Sequence, residues 1–474
     1  PTMPGAVTVP LMEVENNATW VVPTNGKVTL NNLSNAGNIV IESSNTHTGQ
    51  LIVDNLLSQT GQIILRKVFT AGNWQFVSFP YDVPANQIFI AGTSTQATWG
   101  DTDDGDTKDF YVRTYDGFSR DISSTASSTS GYNWITVPER VFEKNKGYII
   151  AVTENITLDF VSPSAETDVF TNNGEVAVAK YTTSPHLNHR SWNLIGQPFL
   201  SAFNLLDATQ AHAPYYYYNG ITYVAVMPEE AYAIYPFSSF FVQAHGPSNK
   251  VEYASTGRTL RSTSIPNFEQ ISVLLQDNEE KKYIDKTRIR LQDGRTKNYE
   301  LGFDATKMFS INTQAPQIYT RIKESENKTI FYAVNNLPTN TNMVDLIVST
   351  KKAGTYTISL ENIDTAPSYN SIILVTDNKE YDLLKENYTF STNEAQTFNW
   401  NLKLAKTASQ LNTGVDVSIL NNELFINGLE ANATVSVYTA AGILVQVFSN
   451  VQNNQALTIK NKGINILSIS SEKE

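Results

Sequence analysis

The densest group of residues able to do chemistry in this sequence is Asp101-Thr-Asp-Asp-Gly-Asp106, with Asp109 close behind. Carboxylates spaced along a loop that a Gly can bend are what a calcium ion asks for. Asp101, Asp103, Asp104 and Asp106 are therefore candidate ligands, and calcium is the one cofactor the residues suggest. Bound there, it would stiffen the loop. The EF-hand pattern places its Gly at the sixth position and Gly105 stands fifth, so a solvated acidic loop is the plainer reading. A second pair, His186 and His189, could chelate a metal if the segment were helical; beside Pro185, exposed loop histidines are the simpler account. A third group is aromatic: Tyr215–Tyr218 with Tyr223, and Trp99 and Trp134 elsewhere. Exposed rings stack on sugar faces and give rigid contacts at low entropy cost, which makes Tyr216 and Tyr218 candidate glycan contacts. In a strand alternate tyrosines point to opposite faces, so two of the four would pack inward in any case.

Motifs for covalent chemistry are missing. The chain has no His-Glu-x-x-His, no Gly-x-Ser-x-Gly and no Gly-rich phosphate loop. Glycosidase carboxylates can lie far apart in sequence, and with 46 Asp and Glu their presence discriminates nothing. The expectation is a protein that is not an enzyme.

Composition narrows the partners. A net charge of −12, with no dense Lys/Arg run, disfavours nucleic acid and anionic membranes. No stretch approaches the roughly 18 apolar residues of a membrane span. Cysteine is absent, which removes disulfides, thiolate zinc sites and thiol catalysis, and which suits a bacterial envelope protein better than a disulfide-stapled eukaryotic one. Pro1-Thr-Met-Pro4 reads as a cut within a longer chain.

The elements that must position these groups are strands. Tyr and Phe are abundant at 23 and 22, charged residues make up 17%, and amphipathic helical patterns are scarce, so the chain is expected to be all-β. Gly26-Lys-Val-Thr-Leu30, Gly37-Asn-Ile-Val-Ile41, Gly49-Gln-Leu-Ile-Val53 and Gly61-Gln-Ile-Ile-Leu65 start 11, 12 and 12 residues apart. This reads as a β-solenoid-like or hairpin segment over 1–69. Two motifs follow, Trp74-Gln-Phe-Val-Ser-Phe-Pro80 and Trp192-Asn-Leu-Ile-Gly-Gln-Pro198, whose tryptophans are 118 positions apart. Each predicts a core strand stopped by its proline. Asp116-Gly117 and Asn219-Gly220 are hairpin signals within the two halves, which together predict one β-sandwich over 70–262. Alternating strands from Ile271 to Trp400 predict a second over 263–402, and short strands predict a small Ig-like domain over 403–474. The whole is expected as jelly-roll or Ig-like sandwiches in tandem.

The order of Gly49-Gln-Leu-Ile-Val53, the first Trp motif, Gly147-Tyr-Ile-Ile150 and the second Trp motif resembles large secreted, cell-surface proteins of Bacteroidetes. Their second motif usually ends Gly-Asn-Pro, where this chain has Gln197. Asp285-Lys-Thr-Arg-Ile-Arg290, Asp304-Ala-Thr-Lys307, Pro316-Gln-Ile-Tyr-Thr320, Gly354-Thr-Tyr356 and Asp382-Leu-Leu384 fall in the same family's order. The tail, through Leu424-Phe-Ile-Asn427, Val435-Ser-Val-Tyr438, Ala441-Gly442 and Gly463-Ile464, is similar to the C-terminal sorting domain of type IX secretion. It departs at its end, reading Gly463-Ile-Asn-Ile-Leu-Ser-Ile469 where that family has Gly-x-Tyr and a last Lys-bearing strand. The resemblance implies an extracellular or cell-surface location. The function expected is structural or adhesive, toward a host or matrix protein or a glycan. The alternatives are a carbohydrate-binding module of a glycan-handling system or the non-catalytic part of a larger secreted hydrolase.

Overall fold

A computed structural model describes residues 6–100, 107–122, 133–170, 173–209, 212–260, 270–325, 328–361, 369–377, 379–406, 416–420, 423–429, 432–439, 443–460 and 465–471. Strand accounts for 54% of it and helix for 6%, so the chain is all-β. It divides into two compact units, one of residues 1–367 and 372–404, the other of 368–371 and 405–474.

The first unit begins as a parallel solenoid. Val7–Val9 and Met12–Val14 pair with Lys27–Asn35, which pairs with Gln50–Gln59. On the second sheet Thr19–Val22, Asn38–Ser43 and Gln62–Phe69 stack in the same way. The Gly-plus-strand unit visible in the sequence is thus half of a rung, and successive units alternate between two sheets. Equivalent residues sit on one another, as in Trp20 on Ile39 and Ile39 on Ile63, which is how each rung buries its apolar face on the next. Polar residues ladder too: Asn35 Nδ2 donates to Gln59 Oε1 at 3.0 Å in the interior, and Asn55 Nδ2 to Asn32 Oδ1 at 2.9 Å outside. Corners stack as tightly as strands. A Cβ on Gly61 would lie 1.9 Å from the Gly37 carbonyl oxygen, so only glycine fits there.

The boundary expected at residue 69 is crossed by pairing. Ile156–Val161 adds antiparallel to Gln62–Phe69, and Ile88–Ile90 adds to Ile156–Val161. Arg66 clamps Asp159 across that joint, Nε to Oδ1 at 2.8 Å and Nη2 to Oδ2 at 2.9 Å. Leu65 and Phe69 share one core with Val77, Phe79, Phe142 and Phe160, so solenoid and first Trp half are a single packed body.

The two Trp motifs occupy separate, facing sheets. In the first, Gln75–Ser78 lies beside Gly147–Val152, which pairs with Phe110–Tyr115; Trp99–Gly100 and Trp134–Ile135 flank the latter. In the second, Trp192–Gly196 pairs with Ser239–Gln243, then come Tyr215–Tyr218 and Tyr223–Val226. Both motif strands end two residues before their proline, at Ser78 and Gly196. Between the sheets lies an aromatic layer of Trp134, Trp192, Tyr216, Tyr223 and Phe241. The Trp192 indole is 1% exposed and donates to the Asn188 carbonyl at 2.9 Å, and the Arg120 guanidinium lies 4.2 Å from its ring centre. Trp74 is only half-buried, at the rim of the same layer.

The small fifth residue of each motif now has a reason. A Cβ on Gly196 would fall 1.8 Å from Ser78 Oγ and 2.5 Å from Ser78 Cβ. The two motifs touch at this point, and Gly196 N donates to the Asn145 carbonyl of the facing half at 2.9 Å.

Of the two hairpin signals, one forms a hairpin. Tyr218 pairs with Tyr223 across Asn219–Thr222, where Gly220 has φ +93°. Asp116-Gly117 instead starts the short helix Gly117–Ile122. Asp116 Oδ1 accepts from the N–H groups of Phe118 and Ser119 at 3.0 and 3.1 Å, an N-cap rather than a reverse turn.

The expected strands from Ile271 onward form an eleven-stranded sheet among the described residues. It is fastened to the second Trp half by buried charge. Asp285 pairs with Lys307 at 2.5 Å, each side chain 1% exposed, and also accepts from Thr222 Oγ1 at 2.8 Å and Ile318 N at 2.7 Å. Arg288 and Arg290 both reach Glu230, Arg290 at 2.9 Å.

The second unit holds two three-stranded antiparallel sheets among its described residues. Leu424, Ile426, Val435, Val451 and Leu457 fill its core.

Gly196→Ala should destabilise the first unit by about 1–3 kcal/mol through overpacking. Ser78 Oγ is buried and makes no hydrogen bond, so adding Ser78→Gly to that variant should restore part of the loss. Urea midpoints of the single and double variants measure both effects; equal midpoints would show that the sheets do not meet there.

Candidate functional site

Strand alternation and cross-strand register place the site. Trp74 precedes Gln75–Ser78 and shares a face with Phe76, which is opposite Ile149, which is opposite Arg113. Trp134 is opposite Tyr115, two residues beyond Arg113 and so on the same face. Over most of this face the second Trp sheet closes down, with Phe76 5.0 Å from Tyr218 and 6.2 Å from Phe241, ring centre to ring centre. Toward Trp74 the covering strand ends at Tyr218 and turns away. The gap is walled instead by Phe309–Thr313 and Lys351. Ser310 Oγ donates to the Ile221 carbonyl, which fixes that wall against the Asn219–Thr222 turn.

The result is a cleft of 490 Å³. Trp74, Trp134, Ile149, Phe309 and Ile311 supply apolar surface, Ser310, Asn312 and Thr313 supply neutral polar groups, and Arg113 and Lys351 supply positive charge. No carboxylate lines it among the described residues. The Arg113 guanidinium lies 5.6 Å from the Trp74 ring centre, within cation–π range, and its Nε is buried with no hydrogen-bond acceptor among the described residues. Crowding at the wall lowers the Lys351 pKa from its ordinary value, although the residue as a whole stays exposed; exposure keeps that effect small.

The glycan contacts expected from the tyrosine run need correction. Tyr216 is 1% exposed; its ring packs 5.1 Å from Trp192 and cannot stack on a sugar. Tyr218 is half-buried, and burial pushes its hydroxyl up to about 12 against hydrogen bonds from the Ser310 region. Both faces of the run are covered, since Tyr215 and Tyr217 pack on the opposite core. Trp74, expected at the head of a core strand, is half-buried and opens to the cleft together with Trp134 and Phe309. The calcium candidates Asp101, Asp103, Asp104 and Asp106 lie outside the described residues. His186 and His189 have ring centres 5.4 Å apart, with His189 buried in the turn Leu187–His189. No third acid, His or Cys joins them in a metal-sized cluster among the described residues.

One acid stands out by its environment. Asp304 is 1% exposed and burial raises it to about 7, against hydrogen bonds from Asn336 N and Glu300 N. Both oxygens thus face backbone N–H groups and not the cleft.

No protein-family model, curated protein or solved structure matches the chain.

Asp304 makes stability depend on pH. Its folded pKa lies above the unfolded value near 3.9, so its contribution is full below about pH 4 and is lost as pH rises through about 7. The loss amounts to at most about 4 kcal/mol. Between pH 5 and 8 the unfolding free energy of Asp304→Asn should lack this fall, whatever constant cost the substitution carries. Parallel urea curves for both proteins at each pH would show it; curves with the same pH slope would refute it.

Proposed function

We propose that this chain is a non-catalytic, extracellular attachment protein whose stacked β-layers present the Trp74 cleft to a glycan-bearing surface. The observation that carries the reading is the lining of that cleft. A sugar ring has an apolar face and a polar perimeter. Trp74 and Phe309 match the first, and Asn312 and Thr313 match the second. Cleaving a glycosidic bond asks for two placed carboxylates, and the described lining offers rings, hydroxyls, an amide and cations in their stead. The walls come from strands and from a loop pinned at Ser310 to the Ile221 carbonyl, which keeps the entropy cost of binding low. Location at the cell surface is supported by the likeness of the tail to sorting domains and by the cysteine-free, acidic composition.

A glycan array probed with the wild type and with Trp74→Ala tests this. Trp74 is half-buried at a rim, so its truncation should leave the urea midpoint nearly unchanged while binding to the retained glycans falls at least about tenfold, or about 1.4 kcal/mol. An array that stays blank, binding indifferent to Trp74→Ala, or release of reducing ends from a bound polysaccharide would each overturn the reading.

A further inference from the structure

We propose that the cleft selects a sugar carrying a carboxylate, an inference that rests on the glycan reading above and narrows it. The chain as a whole is acidic, at −12, and several of its cations are paired with acids, while Lys67 and Arg120, also sheltered, donate to hydroxyl and carbonyl oxygens. Arg66 meets Asp159, Arg288 and Arg290 meet Glu230, Lys307 meets Asp285 and Arg321 meets Asp345. Arg113, half-buried, and Lys351, at the exposed rim, have neither kind of partner among the described residues. They stand on opposite walls of one cleft, and neither has a carboxylate partner among the described residues.

A guanidinium crowded against an indole is costly to leave without an acceptor, because burial removes the water that would otherwise solvate it. Arg113 is held in this way by its register opposite Ile149, on the same face as the Tyr115–Trp134 pair two residues along its strand. Its planar fork matches a carboxylate with two parallel hydrogen bonds. Lys351 adds a point charge from the far wall, and the neutral Asn312 and Thr313 can meet the hydroxyls of a ligand without repelling an anion. A ligand with one carboxylate on the edge of a ring whose flat face lies on Trp74 meets the indole and both cations at once. A densely charged polyanion does not, because two cations cannot offset the repulsion of the remaining acidic surface.

The carboxylate could belong to a uronic acid within a chain or to a sialic acid at its end, and four probes separate the sources. Titration calorimetry would compare sialyllactose with lactose, and an aldotriouronic acid (one glucuronate on xylobiose) with its methyl ester. Tighter binding of at least tenfold for one acidic probe over its neutral counterpart is expected, weakening as salt rises from 50 to 500 mM. Arg113→Gln and Lys351→Gln should each shrink that preference at least fivefold while leaving the urea midpoint within error. Trp74-dependent binding of acidic and neutral probes with equal affinity would overturn the carboxylate assignment and leave glycan attachment standing. Binding of no probe, with neutral glycans retained on the array, would overturn the assignment in the same way, whereas a blank array would remove the reading beneath it.

Discussion

The middle of the first unit, and the cleft within it, are set by how closely the two Trp-motif sheets approach. Contact between Ser78 and Gly196 leaves no room for another methyl group, and it fixes the separation of the sheets at one end. From there the gap is filled by large rings in edge-to-face contact, such as Trp192 on Tyr216 and Tyr115 on Phe241, an arrangement favoured by their quadrupoles. The same geometry explains why two similar motifs have different fates. Trp192 lies where both sheets continue and is sealed in. Trp74 lies where the covering strand has ended, so the layer opens beside it.

Closing the far side of that opening falls to a different kind of interaction. Asp285, Lys307, Glu230, Arg288 and Arg290 are all nearly inaccessible to solvent. Taking such charges out of water costs several kcal/mol per ion, and only close pairing with further hydrogen bonds offsets it. Here the pairing is complete at Asp285, which meets an ammonium, a hydroxyl and a backbone N–H. A network of this sort adds little net stability and a great deal of positional definition. Shifting the eleven-stranded sheet relative to the second Trp half would strand a buried charge, so the Phe309–Thr313 wall is held at one distance from Trp74.

Much of the fold was legible from the residues. Period-two alternation marked most strands from Ile271 to Trp400, though not Ala305–Thr306, Gln317–Ser325 or Glu380–Asp382, and Gly before each apolar run marked the solenoid corners. What periodicity could not show was partnership. The Gly-led units read equally as hairpins or as rungs until their parallel register was seen, and Asp116-Gly117 carries a hairpin signal that tertiary packing on Trp192 converted into a helix cap. Tyr216 misled because a tyrosine-rich strand with sheets on both sides looks, in sequence, like one with a wet face. The cleft was illegible for a simpler reason: Trp74, Arg113, Phe309 and Lys351 are brought together from stretches scattered over more than half the chain, and no local pattern links them.

The antiparallel strand laid on the solenoid has a bearing on how the chain is made. Gln62–Phe69 finds its partner in Ile156–Val161, and the Arg66–Asp159 clamp spans 93 residues. At a synthesis rate of roughly 5–20 residues per second, the apolar edge at Gln62–Phe69 waits about 5–20 s for its cover. An uncovered, flat edge of Ile and Leu is a template for pairing with a neighbouring nascent chain. Lys67 and Arg66, set on that very strand, place positive charge along the waiting edge, the kind of residue that discourages such encounters until its own partner emerges.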